Sequence, residues 1–293
     1  MIRKGYVDTS GGQCHYRYIK GQGTPIVFLH QTPSSSLMFE KLMHLLEGMN
    51  AVAIDTPGFG QSFNPIDKPM IKDYSAWLVE AINSLEINHY HLFGHHTGAS
   101  IAMQISLMEE QSVKSLTLVG PFLATAEEKA EMRKNISANW SPTKDGSHLK
   151  KAWHLAGEIL GAKNDLNLRQ RETLDALRAH HSAEQIHHAV WEYSDIDAYK
   201  KIQQPCLIMC AKDDVMYPFF SRAKEINPKI KIFGVESKLY PCMYNIFYNK
   251  NLPCAGDTIA DGIAVKSPGK LNIPIICKIV DDIILVNEIS IEN

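Results

Sequence analysis

Five residues, Gly94-His95-His96-Thr97-Gly98, separate the apolar run Tyr90-His91-Leu92-Phe93 from a stretch of helical spacing over 99–109. A strand that passes into a helix through so short a turn cannot double back as a hairpin. The helix must carry the chain to the start of a further strand running the same way, which is the unit of a parallel sheet. The alternation recurs along the first half of the chain. Residues 2–8 and 13–19 read as strands about the turn Ser10-Gly11-Gly12, and Pro25 to Leu29 has the unbroken apolar pattern of a strand buried on both faces. Helical spacing over 37–48 leads to the strand Ala51–Ile54, residues 72–86 are helical, and Val113–Val119 is a further strand. Strand signal then fades from about 121 to 190, a stretch rich in Ala, Glu, Lys, Arg and His, and returns at Pro205–Cys210. The expected architecture is α/β, a mostly parallel sheet with an inserted helical layer.

Composition narrows the partners. A chain with 45% hydrophobic and 21% charged residues and a net charge of −2 shows no basic excess for nucleic acid or an anionic membrane. No run approaches the roughly 20 apolar residues of a membrane span. Six cysteines without a C-x-x-C pair predict reduced thiols and a cytoplasmic setting. The expected partner is a small molecule held under the helical layer.

In parallel sheets, binding and catalytic groups gather at the carboxyl ends of the strands. Three such ends stand out: His30-Gln31-Thr32-Pro33, the turn Asp55 to Ser62, and Gly94 to Gly98. In the last, strand, Gly-x-x-x-Gly turn and helix follow each other as in a nucleophile elbow, with His96 at the centre. The backbone N–H of Thr97, with one near Gln31 or Thr32, would face a developing oxyanion.

Together with Asp213-Asp214-Val215-Met216-Tyr217-Pro218, whose D-x-x-x-P spacing falls on Asp214, these motifs make residues 1 to about 220 resemble the α/β-hydrolase superfamily. The resemblance implies a hydrolase core over 1–120, a helical cap over 121–190, and the acid-bearing strand and turn over 191–222. It places Asp214 as the triad acid and position 96 as the nucleophile. The sequence departs from that pattern twice. Position 96 is His rather than Ser, Cys or Asp, and no histidine follows His188, so the base expected after the acid is missing. The pairs His180-His181 and His187-His188 read as surface or cap residues. An imidazole can attack an acyl group without a separate base, giving a labile adduct. The expected function is therefore hydrolysis of a small ester, lactone or acyl substrate by an impaired site, with a non-catalytic ligand-binding protein as the alternative. No metal is expected, because adjacent histidines on one turn should diverge and no carboxylate partner is evident.

From about Ala223 the sequence resembles another family, the PLP-dependent threonine dehydratases (threonine ammonia-lyases). Asn227-Pro228, Gly234-Val235-Glu236, the run Ala255 to Lys266, Pro274-Ile275-Ile276 and Val280 to Val286 carry the likeness. The slice, 223–293, implies a fragment of a PLP fold-type II enzyme that completes or follows the hydrolase fold. It lacks the Schiff-base lysine and the Gly-rich phosphate loop of that family, and Lys266 does not correspond to the former. No cofactor is expected, and threonine deamination is excluded on the same ground. The junction near 218–224 has no Gly/Ser- or Pro-rich linker. The alternating run Lys229 to Gly234 is expected to dock in parallel beside 206–210, carrying Glu236 to the place of the missing histidine. Pro274 is expected in the first turn of a short helix.

Overall fold

The computed structural model describes all residues except Glu47, 135–139, Asp213, 230–232, 259–265, Leu271 and 289–293. It divides into two compact units, the first comprising Met1–Cys206 with Cys210–Phe220, the second Leu207–Met209 with Ser221–Asn293.

The first unit is organised by strands β1 (Arg3–Thr9), β2 (Gly12–Ile19), β3 (Gln22–Leu29), β4 (Met49–Ile54), β5 (Tyr90–His95) and β6 (Val113–Val119), in the order β1-β2-β4-β3-β5-β6, and the chain's next strand is β7 (Cys206–Met209), three of whose residues belong to the second unit. The β1–β2 and β2–β4 pairs are antiparallel, whereas β3 pairs in parallel with both β4 and β5, and β5 in parallel with β6. The apolar runs seen in sequence fall on the central strands for a physical reason. Val27, Leu29, Ala51, Ala53, Ile54 and Leu92 are buried because helices cover both faces of a parallel sheet.

Expected and observed elements agree in type, with one local difference. The segment 37–48 is a 3-10 turn, Ser36–Phe39, followed by a short α1 (Glu40–Leu45) rather than one continuous helix. The Ser36 N–H donates to the buried Asp55 carboxylate at 2.7 Å and the Ser35 hydroxyl accepts from Leu37 N, which fixes a tight first turn. Phe39 and Met43 from this segment pack on Phe28, Ala51 and Ala53. On α2 (Ile71–Ser84), Ile71, Tyr74, Leu78 and Ile82 recur at helical spacing and are buried. Helix α3 (Thr97–Met108) is buried along most of its length.

After β6 come α4 (Ala126–Arg133), α5 (Ser147–His154), a π-helical turn (Leu155–Ile159), α6 (Leu166–Arg178), α7 (His180–Glu192) and α8 (Asp195–Lys201). Among the described residues this segment contains no strand. It lies over the carboxyl ends of β3 and β4. The Ser34 and Ser35 hydroxyls donate to Glu172 and Asp175 at 3.2 and 2.8 Å, and the Gln185 amide donates to the carbonyls of Pro65 and Asp67. The segment is also tied to the core from inside. The Lys129 ammonium donates to Asp195 at 2.6 Å and to the carbonyls of Val190 and Tyr193, while Ser100 on α3 donates to the other Asp195 oxygen at 2.5 Å. No described helix is long and apolar enough to cross a membrane.

Beyond α9 (Tyr217–Phe220), the second unit holds α10 (Ala223–Ile226), β8 (Phe233–Ser237), α11 (Cys242–Tyr248), α12 (Asn272–Ile279) and β9 (Asp282–Val286). Pro274 lies in the first turn of α12, where its missing N–H costs nothing. The expected docking of 229–234 beside 206–210 is not what the structure shows. Residues 230–232 lie outside the described residues, and β8 pairs in parallel with β9 in a separate two-stranded sheet. Glu236 makes its contacts within the second unit. Its two carboxylate oxygens accept the N–H groups of Met243 and Tyr244 at 2.9 and 2.7 Å, closing the start of α11. The N-terminal donors of a helix offered a nearer demand for this carboxylate than any remote histidine position.

Candidate active site

The turn between β5 and α3 is strained as an elbow must be. His96 has φ 47° and ψ −109°, outside the ordinary regions for a residue with a side chain. Its N–H donates to Val119 O at 2.9 Å, and its carbonyl accepts from Ala99 and Ser100, so both neighbouring elements hold the conformation in place. The two flanking glycines are required by close approach. A Cβ on Gly94 would stand 2.3 Å from Gly98 O, and one on Gly98 would stand 2.2 Å from Leu29 O. The beginning of α3 is thereby pressed against the end of β3.

The geometry joins His96 to Asp214, 118 residues later in the chain, with 2.8 Å between Nε2 and Oδ2. Asp214 is aimed by its own turn, since its second oxygen accepts Met216 N at 2.8 Å. Gly120 clears the ground between them: a Cβ there would lie 2.5 Å from His96 Nε2 and 2.9 Å from Asp214 Oδ2. Burial alone would raise the Asp214 carboxyl. The His96 hydrogen bond, the Met216 N–H and the two neighbouring imidazoles outweigh it and hold the group below the usual carboxylate range. As an ionised acceptor, Asp214 receives a hydrogen bond from His96 Nε2.

Gln31, Thr32 and Thr97 lie at the two backbones that Gly98 brings together. Among the described residues, none of their N–H groups has an acceptor. His30 supports this corner. Its Nε2 accepts Thr56 N at 2.9 Å, so Nδ1 carries the proton and donates to Gln31 O at 2.8 Å. Burial lowers the pKa of His30 and keeps it neutral.

One expectation from the sequence is overturned here. The adjacent histidines do not diverge: the ring centroids of His95 and His96 are 4.6 Å apart, and Asp214 supplies the carboxylate that is not evident in sequence. Burial, reinforced by His96, pushes His95 down to about 3. The paired histidines of the helical segment differ in exposure, with His181 exposed. His180, His187 and His188 are half-buried on α7 with Nδ1 atoms sealed from solvent, and burial pushes His187 down to about 4. None of them makes a hydrogen bond to Asp214 among the described residues. A separate cleft of about 380 Å³, lined by Tyr16, Tyr18, Pro25, Val52 and Leu85 among others, lies at the amino ends of β3 and β4, away from the elbow.

Comparison with known proteins bears on the fold. The family model described as "alpha/beta hydrolase fold" matches residues 24–221. The chain belongs to the α/β-hydrolase fold family. A proline iminopeptidase of Heyndrickxia coagulans is 26% identical over 147 residues, 46% of this chain and 49% of that protein. The solved structure of the N-acyl homoserine lactonase AidH superposes with a TM-score of 0.61 at 19% identity, over 76% of this chain and 83% of that one. L-threonine dehydratase catabolic TdcB of Escherichia coli (strain K12) is 39% identical over 72 residues, 24% of this chain and 22% of that protein. The chain thus spans half or less of the length of both curated relatives, and its second likeness covers only a slice of an enzyme.

Proposed function

We propose that this α/β-hydrolase-fold chain acts on a small ester, lactone or other acyl substrate through His96, with Asp214 as its partner and the Gln31, Thr32 and Thr97 N–H groups as oxyanion donors. The observation that carries the reading is the 2.8 Å His96–Asp214 contact at a positive-φ elbow flanked by unsatisfied N–H groups. Asp214 accepts the Nε2–H hydrogen bond and fixes the ring, so the Nδ1 lone pair attacks the acyl carbon. Negative charge passes to the carbonyl oxygen, which the backbone donors stabilise. Collapse breaks the bond to the leaving alkoxide, which takes a proton from water. A water molecule then cleaves the acyl–nitrogen bond, releasing the acid and its proton and restoring the imidazole. The likeness to an N-acyl homoserine lactonase supports an acyl substrate class. Without a separate general base, which typically contributes 10²–10⁴-fold, turnover is expected to be slow.

One observation favours a second reading, a ligand-binding protein without catalysis: no histidine follows His188, and none of the cap histidines bonds to Asp214. Aryl ester hydrolysis separates the two. The first requires turnover above background that His96→Ala abolishes; turnover unchanged in that variant, or absent altogether, leaves only the second.

A further inference from the structure

His95 stands apart from the proposed acyl chemistry, which uses the side chains of His96 and Asp214 and the backbone N–H groups of Gln31, Thr32 and Thr97. It closes β5, is largely enclosed, and makes no hydrogen bond through either ring nitrogen among the described residues. Neither nitrogen is sealed off in the manner of His187 or His188, so the ring keeps an open lone pair without a protein partner. Beside it stand the His96 ring and the Asp214 carboxylate. One ligand atom from each of the three lies within 4.8 Å of the others, and the closest pair is 2.8 Å apart. Two atoms bound to one ion at about 2.0–2.2 Å stand roughly 3–4 Å apart. Closing the widest pair by about 1–2 Å and opening the closest pair slightly would bring all three onto one centre.

We propose that His95, His96 and Asp214 form a binding site for a single divalent transition-metal ion of the zinc type. Three features of the site support this. The donor set, two imidazoles and one carboxylate, suits zinc, cobalt, nickel or ferrous ion, whereas magnesium and calcium demand mainly oxygen. The ligands come from the end of a central strand, a strained elbow and a turn whose own N–H orients the carboxylate, so the site is held by rigid elements and by a hydrogen bond behind one ligand. Gly120, whose Cβ would collide with both His96 and Asp214, leaves room for the ligands to open around an ion. Three protein ligands leave a coordination position for water. A water so bound is acidified, and in the metal-loaded protein its hydroxide would attack the acyl carbon in place of the His96 imidazole. That catalytic use rests on the hydrolase reading; the binding site does not.

Cobalt titration tests the site with the full chain, in a Cys242→Ser/Cys254→Ser background that removes the closest thiol pair as a competitor. The expected result is one Co²⁺ bound per chain with visible d–d absorption, displaced by Zn²⁺. His95→Gln and Asp214→Asn should each weaken binding at least about tenfold. Far-ultraviolet circular dichroism checks that both variants remain folded, and Asp214→Glu should recover part of the affinity should the Asn variant lose structure. Cobalt that fails to bind, or binds equally well to wild type and His95→Gln, overturns the proposal. Ester turnover in chelated and zinc-loaded protein is then read separately. Turnover in neither form defeats the hydrolase reading and leaves the cobalt result standing.

Discussion

The two units bury their charges differently. In the first, Lys129 and Asp195 are nearly inaccessible, and they satisfy each other together with Ser100 and two backbone carbonyls. In the second, Lys224 and Asp281 pair at 2.8 Å with 27% and 33% of their side chains exposed. The sheets differ likewise. Strand β3 has a parallel neighbour on each side and buries Val27, Phe28 and Leu29. Among the described residues, strands β8 and β9 pair only with each other, and the registered pair Val235 and Ile284 is 53% and 47% exposed. Parallel strands occur almost only where both faces are covered, and two strands by themselves are marginally stable. The second likeness of the chain, to a threonine dehydratase, extends over only 72 residues and 22% of that protein.

The contrast is sharpest when one charge is removed from each unit. Lys129→Met strands the Asp195 carboxylate in the interior and should cost about 3–5 kcal/mol. Lys224→Met, in a half-exposed pair, should cost under about 1 kcal/mol. Urea unfolding midpoints measure both; equal losses would erase the distinction between the units.

Two carboxylates of the first unit should answer pH with opposite signs. Burial of Asp55 would raise it, but the hydrogen bond from His15, the neighbouring His30 imidazole, and the Ser36 and Gln61 N–H groups prevail and bring it down to about 2. A group depressed in the folded state contributes stability above its unfolded pKa of about 3.9, lost as pH falls toward 2. At pH 7 the contribution is about 2 kcal/mol, and Asp55→Asn should remove it. Asp175 is pushed up to about 6 by burial, with Glu172 and Asp55 adding to it against the Ser35 hydrogen bond. It binds protons in the folded state where the unfolded chain does not, so stability falls as pH rises from about 4 through 6 and stays lower above. Asp175→Asn should therefore raise the melting temperature at pH 7.5 by about 2–4 °C for each kcal/mol recovered, and leave it unchanged at pH 4. A gain of the same size at pH 4 would assign the effect to something other than charge.

How much of the fold and site is legible in the sequence depends on whether the deciding contact is local. The elbow is, because Gly94 and Gly98 announce a close backbone approach and D-x-x-x-P announces the Asp214 turn. The part played by His95 is not, because adjacent side chains diverge on ordinary backbone. At φ 47° the chain turns at residue 96 and the two rings meet. Two histidines inside one Gly-x-x-x-Gly elbow are the signal that could have revealed it. The Lys129–Asp195 pair is illegible for another reason. Both residues sit in a stretch rich in charge, where a solvated face is the ordinary outcome, and only packing selects the pair that goes inside. Partner choice for β8 is likewise non-local: alternating residues identify a strand without saying which strand it joins.

The smallest expected effect tests that last point. Sequence position suggests Glu236 as a substitute near His96; the structure gives its oxygens to Met243 and Tyr244 N–H. Pro241, which precedes α11, offers no side-chain acceptor, so Glu236 takes the place of an N-cap for these donors. Removing a cap of this kind typically costs about 1 kcal/mol. Because Glu236 and α11 both belong to the second unit, the loss should remain local. Glu236→Ala should therefore speed hydrogen exchange at the amides of residues 242–248 while leaving those of α3 and β5 unchanged. Glu236→Gln, which keeps one carbonyl acceptor, should fall between the two. Faster exchange in α3, or a change in any ester turnover shown by the wild type, would mean that Glu236 reaches the elbow after all, and the separation of the two units would have to be redrawn.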